Sequence, residues 1–207
     1  FNEDAEIASK VLGITLTARN KSEDASPLAG IPYHALEQYL PKVIKAGYKV
    51  AICEQLEDPA LAKGIVKRGV TRIITPGTLI EDNLLNSKNN NYIISVVAQN
   101  QTIGVCAADI STGEFFFDEL DSKDALNFIS RLWPAECILT EEERSNTEIN
   151  MSIKNACNAV INYHSGWAFD TDVVKKTLYE QFNVSTLEGF GISEISVGVI
   201  EIGRAHV

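Results

Sequence analysis

The sequence predicts an α/β protein built from two domains. Strand-like runs of β-branched and aromatic residues alternate with segments of helical apolar spacing, and this alternation is typical of α/β folds. A length of 207 residues is enough for one large domain or two small ones, and 45% apolar with 22% charged residues is ordinary for a globular protein. The composition therefore excludes a disordered or fibrous chain.

Charge divides the chain near residue 78. Residues 1–78 carry a formal charge of +1 and residues 79–207 carry −11, which makes −10 for the whole chain. Between the two parts, residues 79–91 are polar and rich in Asn without a sustained period, which predicts a linker. The total charge argues against a general attraction to phosphate, but the first part is nearly neutral and bunches its cations in one run.

The sequence also bears on location. It has no apolar stretch of about 18 residues, the length that a membrane span needs, and its start lacks the basic and apolar regions of a signal peptide. The four cysteines form no CxxC pair, and most stand beside apolar residues. We therefore expect reduced, buried thiols and a cytoplasmic location without a membrane partner.

Residues 1–78 are predicted to mix helices and strands. A helix capped by Asp4 runs to Leu12, and a strand covers residues 14–18. A second helix ends at Gly47, and Pro41 inside it predicts a break near Tyr39 because proline lacks the backbone donor. Two further β-rich runs cover residues 48–53 and 70–75.

Residues 92–200 show the clearer pattern. Three strand-like runs, at 92–98, 102–110 and 114–120, are joined by short turns. A helix capped by Asp121 or Ser122 follows, then a strand at 136–140 and a helix at 170–182. This order predicts an α/β layer fold of the ribonuclease-H type. The inward side of the last helix is predicted to hold Val174, Leu178 and Phe182.

Two carboxylates, Asp109 and Glu114, stand on either side of a short turn. A nuclease of the ribonuclease-H type needs several converging carboxylates to hold two Mg²⁺ ions. The same stretch is an ordinary turn-forming sequence, and this simpler interpretation is favoured. The three histidines and the short 189–191 GFG string form no nucleophile, metal or dinucleotide motif, so neither a catalytic residue nor a metal is predicted.

Residues 63–72 form the densest basic run. They include four cations and no acid, and their glycines permit close approach of the backbone. Such a run can bind nucleic-acid phosphates through charge and backbone donors. The alternative is an exposed hairpin whose cations serve solubility. The four cations are Lys63, Lys67, Arg68 and Arg72.

Three strings occur in a fixed order: PLAGIPYHA at 27–35, VAICEQ at 50–55 and RIITPGT at 72–78. In this order they closely resemble the N-terminal part of the bacterial MutS family of DNA mismatch-repair proteins. The strings DISTG at 109–113 and GFG at 189–191 are similar to strings of the second domain of that family. The resemblance covers roughly residues 1–200.

The resemblance implies a mixed α/β mismatch-recognition domain at 1–78 and a ribonuclease-H-like connector domain at 92–200 that is not a nuclease. It also implies a full-length homodimer that uses ATP and Mg²⁺ and clamps double-stranded DNA near the bacterial nucleoid. Family members insert a Phe into the minor groove beside a mispaired or looped step, which costs less to unstack than a matched step. The connector is implied to dock a downstream repair protein of the MutL type.

Both ends depart from the family pattern. Residues 1–5 align with the second half of the motif Phe-x-Glu-Leu-Phe-x-Asp-Asp-Ala, so the Phe-x-Glu pair that reads the mismatch is missing and neither Phe1 nor Glu3 is assigned as the wedge. The ATPase domain is missing too. We therefore expect this chain by itself to be no enzyme, to hold no cofactor and not to discriminate mismatches. Residues 201–207 are interpreted as a translated sequencing adapter, with a divergent natural tail as the alternative.

The loop before the second helix and the basic run are predicted to contact DNA. Small residues in the loop permit close approach, and the cations pair with phosphates. Tyr33, Ile52 and Ile74 are assigned to the core instead. Two other functions stay open, namely a connector-type module that docks repair proteins and a ribonuclease-H-like nuclease. The predicted DNA-binding residues are Leu28, Ala29, Gly30, Lys63, Lys67, Arg68 and Arg72.

Overall fold

A computed structural model of the chain describes residues 1–18, 26–62, 64–79, 89–99, 102–166 and 170–190. The chain divides into two compact units, which we call unit 1 (Phe1–Pro76) and unit 2 (Gly77–Val207). Helices and strands occur in both units, and the prediction of an α/β protein is confirmed. Lys63, Gly191 and the 201–207 tail lie outside the described residues, as does most of the predicted linker.

In the described part of unit 1, two α-helices combine with two small antiparallel sheets. Its described elements follow the order α1 (Asn2–Leu12), β1 (Thr17–Ala18), β2 (Pro27–Leu28), α2 (Leu36–Lys45), β3 (Val50–Gln55) and β4 (Arg68–Ile74). Strand β1 pairs with β2, and β3 pairs with β4. The buried apolar side chains come from both helices and from β4, and they are Ala5, Leu40, Ile44 and Ile74.

Three local predictions in unit 1 need correction. Asp4 does not cap α1, because the helix begins at Asn2 and Asp4 lies inside its first turn, where its charge still faces the positive end of the helix dipole. The strand predicted at 14–18 shortens to Thr17–Ala18. Helix α2 continues through Pro41 without the expected break. A proline at this position removes one backbone hydrogen bond, and burial of Leu40 and Ile44 on either side holds the helix against that loss.

The described residues of unit 2 form one five-stranded sheet with helices packed on it. Strands β5 (Ile93–Gln99), β6 (Thr102–Asp109) and β7 (Glu114–Asp121) form an antiparallel meander. Strands β8 (Glu136–Thr140) and β9 (Val160–His164) extend the sheet in parallel with β5, so the order across the sheet is β7-β6-β5-β8-β9. The described α-helices of this unit are α3 (Ser122–Leu132), α4 (Thr147–Cys157) and α5 (Thr171–Phe182). The meander followed by alternating helix and strand confirms the predicted ribonuclease-H-type layer fold.

Alternating side chains of this sheet face two separate cores. Ile94, Cys137 and Leu139 pack with α3 and α4 on one face, whereas Cys106 packs with Val174 and Leu178 of α5 in a second cluster. Asp121 caps α3 as predicted, since its carboxylate accepts from the backbone N–H groups of residues 123 and 124. The prediction for Phe182 is wrong, because this side chain is exposed.

The cysteines agree only in part with the expectation of buried thiols. Cys106, Cys137 and Cys157 are buried, but Cys53 is exposed on β3, and none of the four is in a disulfide. None of the helices in the described ranges combines the length and apolar character needed to cross a membrane.

Candidate nucleic-acid interface

The basic run lies in the β3–β4 hairpin of unit 1. Val50 pairs with Ile74 at the base of the hairpin, and Gln55 pairs with Arg68 near its tip. The register shifts between Ile52 and Cys53, which pair with Arg72 and Val70, so Thr71 is an extra residue on β4. This is the arrangement of a β-bulge, which adds one residue to one strand and changes which side chains share a face.

The bulge places Arg68 and Arg72 on opposite faces of the hairpin. In a regular strand two residues four positions apart share a face, but the extra residue between them shifts the alternation by one. On one face lie Arg68, Val70 and Ile73. Their cross-strand partners on β3, which share this face, are Gln55, Cys53 and Ala51, and all six residues are exposed. Arg72 is exposed on the other face, beside the half-buried Ile52 and the buried Ile74.

The loop at the hairpin tip is held by its own backbone and by two acids. The Leu56 N–H donates to the Lys67 carbonyl at 2.9 Å, and the Lys67 N–H donates to Glu57 Oε1 at 2.6 Å. Asp58 accepts from the Ala60 N–H at 2.8 Å. Both Lys67 and Arg68 are exposed, so the tip presents two cations beside two carboxylates.

Gly69 follows these cations and lies beside the side chain of Leu56. A Cβ at this position would lie 2.8 Å from Cδ1 of Leu56. Leu56 is 52% exposed, so the end of its flexible side chain can move aside, and this contact does not by itself require glycine. Two apolar side chains of the loop face solvent, Leu61 at 80% and Ile65 at 100% exposure. These exposed apolar residues were not singled out from the sequence, where their spacing resembles that of core residues.

The predicted loop, Leu28–Gly30, lies at the other end of the hairpin. Leu28 belongs to β2 and pairs with Thr17, while Ala29 and Gly30 line an open cleft of about 440 Å³ together with α1, α2 and the start of β3. Val50, at the start of β3, is five residues or about 17 Å along the strand from Gln55, which pairs with Arg68. The described predicted contact residues are therefore spread along the hairpin. Lys67 and Arg68 are at its tip, Arg72 pairs with Ile52 in its middle, and residues 28–30 are near its base.

The three predicted core residues near this surface differ in how far they are buried. Ile74 is buried with 1% exposure, as predicted, and Ile52 is half-buried. The prediction for Tyr33 is wrong, because its side chain is 82% exposed in the short turn before α2. Tyr33 begins a short 3₁₀ turn after Pro32 and is not part of a strand or α-helix. The spacing of apolar residues therefore could not predict whether its side chain is buried.

In unit 2, the carboxylate of Asp109 is only 1% exposed and accepts hydrogen bonds from four donors. The Ser111 hydroxyl donates at 2.6 Å, the Ser111 and Asn91 N–H groups each at 2.9 Å, and the Thr112 N–H at 3.3 Å. Burial by itself raises the pKa of Asp109, but these hydrogen bonds outweigh it and hold the pKa below its ordinary value. Asp109 thus organises the turn after β6.

Glu114 pairs with Asp109 across the β6–β7 ladder but serves other partners. Its Oε2 accepts from the Tyr92 hydroxyl at 2.8 Å and from the Asn90 amide. The pKa of Tyr92 is raised, mainly by burial and next by the hydrogen bond to Glu114 and the charge of its carboxylate. Within the described part of the chain no three His, Cys, Asp or Glu side chains are placed to hold a metal ion. The geometry around Asp109 and Glu114 favours the turn interpretation over a two-metal nuclease site.

Two family models match this chain, MutS domain I over residues 1–83 and MutS domain II over residues 91–201. The DNA mismatch repair protein MutS of Methanococcoides burtonii is 44% identical over 211 residues, covering 99% of this chain and 24% of the relative. MutS of Alkaliphilus oremlandii is 42% identical over 210 residues, covering 98% and 24%. The chain thus spans about a quarter of the length of these curated relatives. Because the matches extend over both units at this identity, the chain belongs to the MutS family of DNA mismatch-repair proteins.

Proposed function

We propose that this chain supplies the DNA-contacting and connecting parts of a longer MutS-type protein that binds mismatched or looped duplex DNA. The observation that carries the proposal is the match of MutS domain I to residues 1–83, the part that contains the exposed β3–β4 hairpin. Lys67 and Arg68 lie at its exposed tip, where phosphate oxygens can reach them. These contacts position the protein on the duplex and carry no sequence information.

The distribution of charge supports DNA contact by unit 1 and a connecting role for unit 2. The part of the chain from residue 79 onward carries −11, so phosphate would be repelled from it, while the part before it is close to neutral. Family membership supports protein docking for unit 2, with a downstream repair protein of the MutL type as the proposed partner. Homodimer formation and the use of ATP and Mg²⁺ are proposed for the longer protein, and no enzymatic activity is proposed for these 207 residues.

The test measures the salt dependence of DNA binding by the 207-residue chain. Fluorescence anisotropy with a matched and a mispaired duplex is followed over a range of salt concentrations. We expect Lys67→Ala/Arg68→Ala to weaken binding to both duplexes alike. The slope of log K against log salt should fall by about 2, or about 1 for each phosphate that the variant no longer neutralises.

A matched control removes the same charge from unit 2. Lys123→Ala/Lys176→Ala replaces two exposed lysines, and the salt slope should stay at the parent value. An unchanged slope in the hairpin variant would contradict the phosphate role of Lys67 and Arg68. Clear preference of the parent chain for the mispaired duplex would contradict the proposal that this part does not discriminate by itself.

A further inference from the structure

The β3–β4 hairpin exposes a concentration of apolar side chains. Single exposed apolar residues are normal on a protein surface, but several in one element mark an interaction site. Two of those in the hairpin lie in the loop at its tip, and we call this pair, Leu61 and Ile65, the apolar tip. The large apolar side chains that the hairpin exposes are Leu56, Leu61, Ile65, Val70 and Ile73.

The loop has an ordered backbone although the apolar tip faces solvent. The Leu61 N–H donates to the Asp58 carbonyl at 3.0 Å, which closes a turn inside the loop. Gly64 has φ 122°, a conformation that residues with a side chain rarely adopt, and it stands directly before Ile65. The backbone therefore presents Ile65 to solvent without support from its own side chain, which is 100% exposed.

The charge of the loop favours a polyanion as its partner. Residues 56–68 contain three cations and two acids, a net charge of +1, whereas residues 79–207 carry −11. The two acids, Glu57 and Asp58, each accept a hydrogen bond from a backbone N–H of the loop. Because a net charge of +1 attracts phosphate only weakly, binding at this loop needs a further, uncharged contribution.

A phosphate contact at Lys67 would bring Ile65 close to the duplex. Two residues of chain extend over at most about 7 Å, and phosphates of one strand follow each other at about 3.4 Å along the helix axis. Ile65 would then lie within about two nucleotides of that phosphate. Apolar side chains enter the minor groove in many DNA complexes, and the deoxyribose edges along this groove offer apolar surface whatever the base sequence.

We propose that Ile65, together with Leu61, contacts the deoxyribose edges of the minor groove beside the phosphates that Lys67 and Arg68 bind. This contact adds affinity through burial of apolar surface, so salt does not screen it, and it requires no particular base. The inference rests on the proposed function, because the cations must place the apolar tip on a duplex.

The main test compares the salt dependence of Ile65→Ser with that of the parent 207-residue chain, by anisotropy with the matched duplex. Full burial of an Ile side chain corresponds to about 10- to 150-fold in a binding constant, and half burial to about 3- to 12-fold. We expect Ile65→Ser to weaken binding by about 3- to 12-fold at every salt concentration. The slope of log K against log salt should stay at the parent value, because no phosphate contact is lost.

Two control variants separate apolar contact from other effects. Ile65→Val keeps most of the apolar surface and should bind within about twofold of the parent. Met151→Ser removes an apolar side chain that is 57% exposed on α4 in unit 2, and its affinity should equal that of the parent. Neither Ile65 nor Met151 is buried, so these variants are expected to fold.

Methyl NMR of the complex locates the contact directly. The δ1 methyl groups of isoleucine are labelled with ¹³C, and the signal that disappears in Ile65→Val assigns Ile65. On addition of the matched duplex this signal should shift and show NOEs to deoxyribose H1′ and H4′ protons. The methyl of Ile153, which is buried in unit 2, should keep its position.

The possible failures can be told apart. If the parent chain binds the duplex but Ile65→Ser binds equally well, or if Ile65 shows no NOE to deoxyribose, this inference is overturned and the proposed function stands. If the parent chain does not bind the duplex, both are overturned. Sedimentation tests the alternative occupant: self-association of the parent that Ile65→Ser abolishes would show that the apolar tip binds a second copy of the chain and would overturn the inference.

Discussion

Replacing Asp109 should weaken unit 2 and change how its stability depends on pH. The carboxylate is buried and accepts four hydrogen bonds, three of which are 2.9 Å or shorter. A hydrogen bond to a charged group contributes about 1.5–3 kcal/mol, but the Ser111 and Thr112 donors are exposed and can turn to water. Three of the four bonds come from these two residues, so counting only the Asn91 bond we expect Asp109→Ala to lower the free energy of unfolding by about 1.5–3 kcal/mol.

The pH dependence follows from the lowered pKa of Asp109. Its pKa is below the ordinary value of 3.8 in the folded chain, so the folded state favours the charged form. This contribution is fully present above pH 3.8 and is lost as the pH falls through the folded-state pKa. The difference in stability between the parent and Asp109→Asn should therefore shrink between pH 7 and the acid range.

Urea unfolding followed by tryptophan fluorescence measures this directly, since both tryptophans, at positions 133 and 167, belong to unit 2. Glu180→Gln is the control, because Glu180 is exposed and its ion pair with Lys176 spans 3.9 Å, a contact that contributes little. A loss below about 0.5 kcal/mol for Asp109→Ala, or a loss that stays the same from neutral to acid pH, would refute the assigned role of these hydrogen bonds.

Three further predictions concern single positions. Trp133 has φ 49°, so Trp133→Asn should be more stable in urea than Trp133→Ala by about 1 kcal/mol, because Asn tolerates the left-handed conformation; equal stabilities would contradict this. Pro41→Ala should raise the melting temperature of unit 1, because Ala can donate within α2; a lower value would show that proline's constraint on the unfolded chain matters more. A thiol reagent should modify Cys53 at least about tenfold faster than the other three cysteines, because their burial excludes the reagent. Burial also raises the pKa of Cys157, which leaves less of the reactive thiolate. Equal rates would show that the fold opens readily.

Local features of the fold could be read from the sequence because each depends on neighbours in the chain. The three strands of the meander follow from alternating apolar residues with turn residues between them, and the structure confirms them as β5, β6 and β7. The cap at Asp121 needs only the two following N–H groups, so a short window contains all of its partners. Helix α4 and strand β9 were missed, although Ile149, Ile153 and Cys157 of α4 recur at the four-residue spacing of a helix face.

The sequence alone determined the family resemblance, the division of charge between two domains and the identity of the basic run. The tertiary structure alone decided which of those cations share a face, because the bulge at Thr71 separates Arg68 from Arg72. It also decided the roles of two carboxylates. Asp109 accepts a hydrogen bond from the Asn91 N–H, and Glu136 accepts one from the N–H of Gly77, which is 59 residues away from Glu136 in the chain. The physical reason is that spacing along a strand predicts alternation, whereas strand register and long-range hydrogen bonds arise only when distant segments pack together.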